Sequence, residues 1–177
     1  MGLELPSPQG TPYRIGLVCL GNICRSPMAE FAMRRLLDEQ GLTDQVQVRS
    51  AGTGDYHIGE RADPRAAAVL REHGYDPDGH RAAQFAADDL AQADLILALD
   101  ASNAEKLRAC APDNAAAAKV RLLREFDPGL DGSADGADLD VPDPYYGGDE
   151  GFPHVLALVE TSCRGLLEEL RVQGLVR

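Results

Sequence analysis

Between Val18 and Pro27 the chain reads Val-Cys-Leu-Gly-Asn-Ile-Cys-Arg-Ser-Pro, with Arg25 six positions after Cys19. Ile15, Leu17 and Val18 lead into this run, and apolar residues at helical spacing follow it. A strand that turns through a glycine-containing loop into a helix start leaves the chain few ways to fold. It also creates an anion site, because the unpaired N–H groups and the positive end of the helix dipole point into the loop. A thiol held there is expected to ionise below its ordinary value of about 8.5. A guanidinium at Arg25 would grip two phosphate oxygens at once and hold the extra charge of a transition state. The pattern therefore predicts a cysteine nucleophile that attacks phosphorus or a similar oxyanion centre.

Most isolated cysteines are small buried fillers. Cys19 is set apart because it leaves a strand for a Gly-Asn turn with Arg25 and a helix start directly after it. Asn22 and Ser26 carry short polar side chains able to hydrogen-bond the loop backbone or the Cys19 sulfur, and Ser26 is also placed to cap the helix. The loop amides over Leu20, Gly21, Asn22, Ile23 and Cys24, with Ser26, form the predicted phosphate-binding set.

The remaining pattern alternates strands with helices. Tyr13 to Cys19 reads as a short buried strand, and Ala29, Ala32, Met33, Leu36 and Leu37 form one helical stripe that Gly41 closes. Val46 to Ser50, Leu95 to Leu99 and Val120 to Leu123 read as further strands. Pro64 to His73 and Ala101 to Cys110 read as helices, and Pro153 opens a long C-terminal helix striped by Val155, Val159, Cys163, Leu166, Leu167 and Leu170. Such alternation implies parallel β-α-β units with right-handed crossovers. The predicted architecture is α/β: a single doubly wound domain, residues 13–177, with a four-stranded parallel sheet flanked by helices. Sites in such sheets lie at the carboxyl ends of the strands, where Cys19 falls.

Composition narrows the function. At 177 residues, 44% hydrophobic and 26% charged, the chain suits one domain with a full core. No apolar run approaches the ~20 residues that span a bilayer. Residues 1–12, with Pro6, Pro8 and Pro12 and no apolar stretch, read as a mobile extension rather than a secretory signal, so a cytoplasmic location is expected. A net charge of −12 disfavours nucleic acid and anionic membranes as partners. The four cysteines, at 19, 24, 110 and 163, do not suggest a disulfide framework in a chain of this size. No C-x-x-C pair occurs, and His57, His73, His80 and His154 lack zinc spacing from a cysteine, so neither metal nor cofactor is expected. Cys110 and Cys163 read as core residues, and Asp100 and Asn103 as structural ones, the latter near a helix cap.

The run Val18–Pro27 resembles the signature of the low-molecular-weight protein tyrosine phosphatases, C-x5-R-S with Gly-Asn inside it. The resemblance extends through Ser50-Ala51-Gly52-Thr53, Ala62-Asp63-Pro64-Arg65-Ala66, Asp100 with Asn103, and Asp143-Pro144-Tyr145-Tyr146-Gly147, and covers most of the chain from Arg14 to Leu170. It implies tyrosine-phosphorylated proteins as substrates and inorganic phosphate as product. It also implies that Asp143 is the general acid. The residues alone do not choose Asp143 over Asp131, Asp135, Asp138 and Asp140, but a tyrosine leaving group, with a pKa of about 10, requires such an acid. By the same resemblance Tyr145 and Tyr146 would wall the pocket, Tyr56 would stand at its rim, and Cys24 could form a reversible disulfide with Cys19.

Ile23 bears on the substrate, because phosphoarginine-specific relatives tend to carry threonine there. Ala83 stands where relatives often have arginine, and Gly129 to Leu139 reads as an acidic, flexible insertion. The alternatives are a phosphoarginine phosphatase, a thiol-dependent arsenate reductase and a non-catalytic phosphate-binding module. A reductase would need resolving cysteines, and only Cys110 and Cys163 follow Asp76.

Overall fold

The structure, a computed structural model, describes residues 4–130, 139–148 and 150–177. Strands β1 (Tyr13–Cys19), β2 (Val46–Gly52), β3 (Leu95–Ala98) and β4 (Val120–Leu122) form one parallel sheet in the order β2-β1-β3-β4. Helices α1 (Arg25–Glu39), α2 (Pro64–Glu72), α3 (Ala87–Gln92), α4 (Ala101–Ala109), α5 (Asn114–Ala117) and α6 (Gly151–Val172) surround it, with a 3-10 turn at Leu123–Phe126. The expected sheet and its flanking helices are present. The short α3, α5 and 3-10 turn were not expected, since segments of four to six residues are too short to display a period.

β1 is central because both of its faces are apolar. Tyr13, Ile15 and Leu17 join a core with Met33 and Leu37 of α1 and Val159, Cys163 and Leu166 of α6. Val18 joins the opposite core, with Ile96 and Ala98 of β3, Leu90 and Leu107. A one-residue slip would turn exposed Arg14 and small Gly16 toward the larger core in place of Ile15 and Leu17, whose burial contributes about 1.5–3 kcal/mol each, so the register is strongly held. This register sets Cys19 opposite Gly52 at the sheet's carboxyl edge. At the back of the sheet, α6 approaches the 3-10 turn closely at Gly165, where a Cβ would stand 1.7 Å from the Phe126 carbonyl oxygen.

Three expectations change. Ser26 does not cap α1: it lies in the first turn, and the cap position is Cys24, which makes no side-chain capping bond. Residues 4–12 are not a free extension. Leu5 is buried, its N–H donates to Gln173 Oε1 at 2.8 Å, and the Tyr13 hydroxyl donates to the Pro6 carbonyl at 2.9 Å. Buried Asp94 takes the Gln9 and Arg14 N–H groups, each at 2.8 Å, which ties the segment to the end of β1. Cys110 is exposed at the end of α4 rather than in the core, whereas Cys163 is fully buried. Residues 1–3 and 131–138, with Asp131, Asp135 and Asp138 of the expected insertion, lie outside the described residues. Among the described residues, no helix is long and apolar enough to cross a membrane.

Candidate active site

The loop from Cys19 to Arg25 wraps back over the end of β1, and its shape depends on Asn22. This residue takes a φ of +57°, a left-handed conformation that asparagine tolerates better than most residues. Its amide nitrogen donates to Ser26 Oγ at 2.8 Å and Ser50 Oγ at 2.9 Å, and its Oδ1 accepts from the Ala83 N–H at 2.9 Å. The Asn22 carbonyl, which can only accept, is met by His80 Nε2 at 2.7 Å, so that nitrogen carries the proton. Asn22 is 0% exposed, and with both amide hydrogens and Oδ1 engaged it holds the loop from behind.

The back of the loop is also close to Gly52. A Cβ there would lie 2.6 Å from the Leu20 carbonyl oxygen, and the next two amides, Thr53 and Gly54, donate to the Cys19 and Leu20 carbonyls, each at 2.9 Å. With its carbonyls turned backward to these partners and to His80, the loop can present amides forward. The Asn22 N–H donates to Cys19 Sγ at 3.3 Å, and Ser26 Oγ sits 3.0 Å from the same sulfur. Ser26 Oγ accepts from Asn22, and the acceptors within reach of its own proton are the sulfur at 3.0 Å and, at 3.5 Å, the Ala51 carbonyl.

Arg25 is 3% exposed. Its Nη1 donates to Asp100 Oδ2 at 2.7 Å and to the Val141 carbonyl at 3.0 Å, while Nη2 lies 3.6 Å from Asp143 Oδ2. Burial works against the guanidinium charge. The charge of Cys19, the hydrogen bond to Asp100 and the charges of Asp100 and Asp143 outweigh it and raise the Arg25 pKa. The Cys24 thiol is pushed up, first by burial and then by the negative charges of Asp63, Cys19 and Asp143. Cys24 is therefore a neutral thiol at physiological pH.

These groups open on a cavity of about 380 Å³ lined by Cys19, Leu20, Gly21, Ile23, Cys24, Arg25, Tyr56, His57, Asp143, Tyr145 and Tyr146. Tyr145 and Tyr146 meet edge to face, with centroids 4.9 Å apart, and His57 stands 6.2 Å from Tyr145. Tyr56 and Tyr146 are 72% and 92% exposed, so the mouth is aromatic while its floor is polar and buried. An anion can enter head first with an aromatic ring behind it. Of the predicted residues, Asn22 and Ser26 alone lie behind the cavity rather than on its wall.

The sequence profile of the low molecular weight phosphotyrosine protein phosphatase family matches residues 14–175. The chain belongs to this family. A low molecular weight protein-tyrosine-phosphatase of Streptomyces coelicolor is 52% identical over 161 residues, which is 91% of this chain and 95% of that one. The low molecular weight protein-tyrosine phosphatase A of Mycobacterium tuberculosis is 50% identical over 155 residues, covering 88% and 90%. The crystal structure of YfkJ from Bacillus subtilis superposes with a TM-score of 0.82 at 36% identity, covering 94% and 99%. The chain is thus a protein tyrosine phosphatase, a hydrolase of phosphoproteins.

Sequence reasoning left three residues of this phosphatase without their roles. Asp100 was expected to be structural, and it does cap α4, accepting from the Asn103 N–H at 2.7 Å. The same carboxylate also fixes Arg25. Its position, just past the end of the strand beside β1, is where sites in parallel sheets form, and that signal could have revealed it. His57 follows Tyr56 directly and shares its wall. Arg65 belongs to a quoted motif, but no role could be read for it.

Proposed function

We propose that this phosphatase hydrolyses phosphotyrosine in proteins through a cysteinyl-phosphate, with Cys19 as nucleophile, Arg25 and the loop amides as the phosphoryl cradle and Asp143 as general acid. The reading rests on one cavity holding Cys19, Arg25 and Asp143 together, with Arg25 3.6 Å from the Asp143 carboxylate. The Cys19 thiolate attacks phosphorus in line, the P–O bond to the tyrosine breaks, and protonated Asp143 gives its proton to the departing oxygen. The carboxylate then takes a proton from water as that water attacks phosphorus. The P–S bond breaks, and thiolate and inorganic phosphate are released. The acid step contributes about 10²–10⁴-fold, and the cradle holds equatorial charge through the transition state. No step calls for a metal or a cofactor.

Ile23 on the cavity wall offers an aliphatic surface to an aromatic ring and no hydrogen bond to a guanidinium, which favours phosphotyrosine over phosphoarginine. The net charge of −12 supports protein rather than nucleic-acid or membrane partners. A nucleophilic thiol with a second cysteine five residues away suits the reducing cytoplasm. Cys19→Ser is expected to abolish hydrolysis of p-nitrophenyl phosphate in EDTA, and rapid quenching of the native enzyme to trap phosphate on Cys19. Near-native turnover by the variant ends the mechanism. Native preference for phosphoarginine over phosphotyrosine peptides overturns the substrate assignment, and Ile23→Thr is the substitution that should shift it.

A further inference from the structure

A buried carboxylate and an arginine outside the reacting set join the phosphate loop to the loop that carries Asp143. The Asp63 N–H donates to the Ile23 carbonyl of the phosphate loop at 2.8 Å. Its carboxylate is forked by Arg65, Nε to Oδ1 at 3.1 Å and Nη2 to Oδ2 at 3.0 Å, while Oδ1 also caps α2 by accepting the Arg65 N–H at 2.8 Å. The remaining arm of the guanidinium, Nη1, donates to the Tyr145 carbonyl at 3.1 Å. The Tyr145 N–H in turn donates to Asp143 Oδ1 at 3.0 Å. Arg65 Cζ also lies 5.4 Å from the Tyr145 ring centroid and 4.7 Å from that of Phe152, at the start of α6.

These bonds form one polar chain from Ile23 through Asp63, Arg65 and Tyr145 to Asp143. On the near side of Asp143 the segment is held by the Val141 N–H, which donates to the Leu99 carbonyl at 2.7 Å, and by Arg25 on the Val141 carbonyl. On the far side Arg65 supplies the hold at Tyr145. Capping α2 needs the Asp63 carboxylate and the Arg65 backbone but not the guanidinium. The bond from Arg65 to the Tyr145 carbonyl is exposed, so without the guanidinium that carbonyl can turn to water. An exposed ion pair adds little stability, whereas a group fixed at two points by a rigid fork limits where its partner can stand.

We propose that Arg65 is a positioning residue that holds the Asp143 carboxyl over the leaving-group oxygen and so sets the efficiency of proton donation without touching substrate. The inference rests on Asp143 being the general acid. A phosphoryl group that leaves a good leaving group needs no acid, so the effect should depend on the leaving group.

The test compares kcat/KM, which reports formation of the phosphoenzyme, for phosphotyrosine and for dinitrophenyl phosphate. Arg65→Met is expected to lower it roughly 10-fold for phosphotyrosine, a part of the 10²–10⁴ available from the acid, and less than about 2-fold for dinitrophenyl phosphate. Inhibition by inorganic phosphate should be unchanged, and Arg65→Lys should recover part of the loss. Asp143→Asn should show the same selectivity at larger amplitude, and adding Arg65→Met to it should cost phosphotyrosine nothing further. Equal loss on both substrates, no loss on phosphotyrosine, or full additivity with Asp143→Asn overturns the inference alone. An unselective Asp143→Asn overturns the acid assignment, and the inference with it. Should Arg65→Met fail to fold, Arg65→Gln takes its place in the same comparison.

Discussion

Asp100 carries two separable duties, and a pair of substitutions can measure each. Oδ2 holds buried Arg25 at 2.7 Å, and Oδ1 caps α4 at 2.7 Å. The side chains of Arg25 and Asp100 are 4% and 19% exposed, so solvent screens the pair only weakly. A hydrogen bond to a charged group contributes about 1.5–3 kcal/mol, and a helix cap about 1 kcal/mol. Arg25 keeps its bond to the Val141 carbonyl at 3.0 Å, which places the first figure at its lower end. Asp100→Asn retains an acceptor for the cap and is expected to cost about 1.5–2 kcal/mol. Asp100→Ala loses both bonds and should cost about 2.5–3 kcal/mol.

The catalytic effect should be larger than the loss of stability. A cradle arginine displaced by about 1 Å costs on the order of 10²-fold in rate, and both variants should lose kcat on that scale along with sensitivity to phosphate. Urea denaturation gives the stability difference, and p-nitrophenyl phosphate turnover with phosphate inhibition gives the other. Asp100→Asn with native kcat and native phosphate inhibition would refute the claim that this carboxylate orients Arg25. Equal stabilities for Asn and Ala would refute the cap.

Two further substitutions probe the loop support. Gly52→Ala places a Cβ 2.6 Å from the Leu20 carbonyl oxygen and 3.2 Å from the Asn22 nitrogen, so it should weaken phosphate inhibition as well as cost about 1–3 kcal/mol. Gly165→Ala, whose Cβ would meet the Phe126 carbonyl oxygen at 1.7 Å, should lower the melting temperature yet leave phosphate inhibition in the folded fraction unchanged. Burial opposes the Asp63 charge, but the hydrogen bonds from the Arg65 side chain and backbone outweigh it and hold the Asp63 pKa below its ordinary value. A carboxylate depressed in the folded state adds stability that is complete above its unfolded pKa and is lost as pH falls through the folded one. The denaturation midpoints of native enzyme and Asp63→Asn should therefore differ at neutral pH and converge below the carboxylate range. A gap that stays constant with pH would exclude this linkage.

The parts of the site that are contiguous in sequence could be read from it. Cys19, the Gly-Asn turn and Arg25 lie within one strand–loop–helix unit, and their hydrogen-bonding chemistry is local. The long helices were visible because their apolar residues repeat at about 3.6 over several turns, and the strands because short apolar runs stand out between turn residues, as in β3, where all four positions are apolar and buried. Ser26 was misread as a cap because a short polar side chain at a helix start serves equally well to cap it or to reach a sulfur 3.0 Å away, and only the backbone's path decides. Residues 4–12 looked mobile because prolines and polar residues carry no period, while the buried carboxylate that anchors them, Asp94, lies 85 positions from Gln9.

Sequence alone determined that a thiol, an arginine and a ring of amides share one short loop at the end of a buried strand, because adjacent atoms and alternating apolar side chains suffice to build it. Which carboxylates face that loop was decided only by the tertiary structure. Arg25 meets the Val141 segment across 116 positions, and Asn22 meets His80 across 58. Such contacts form because the parallel sheet gathers the carboxyl ends of separate strands at one edge, where Asp100 and Asp143 converge on Arg25, and no local pattern encodes that meeting.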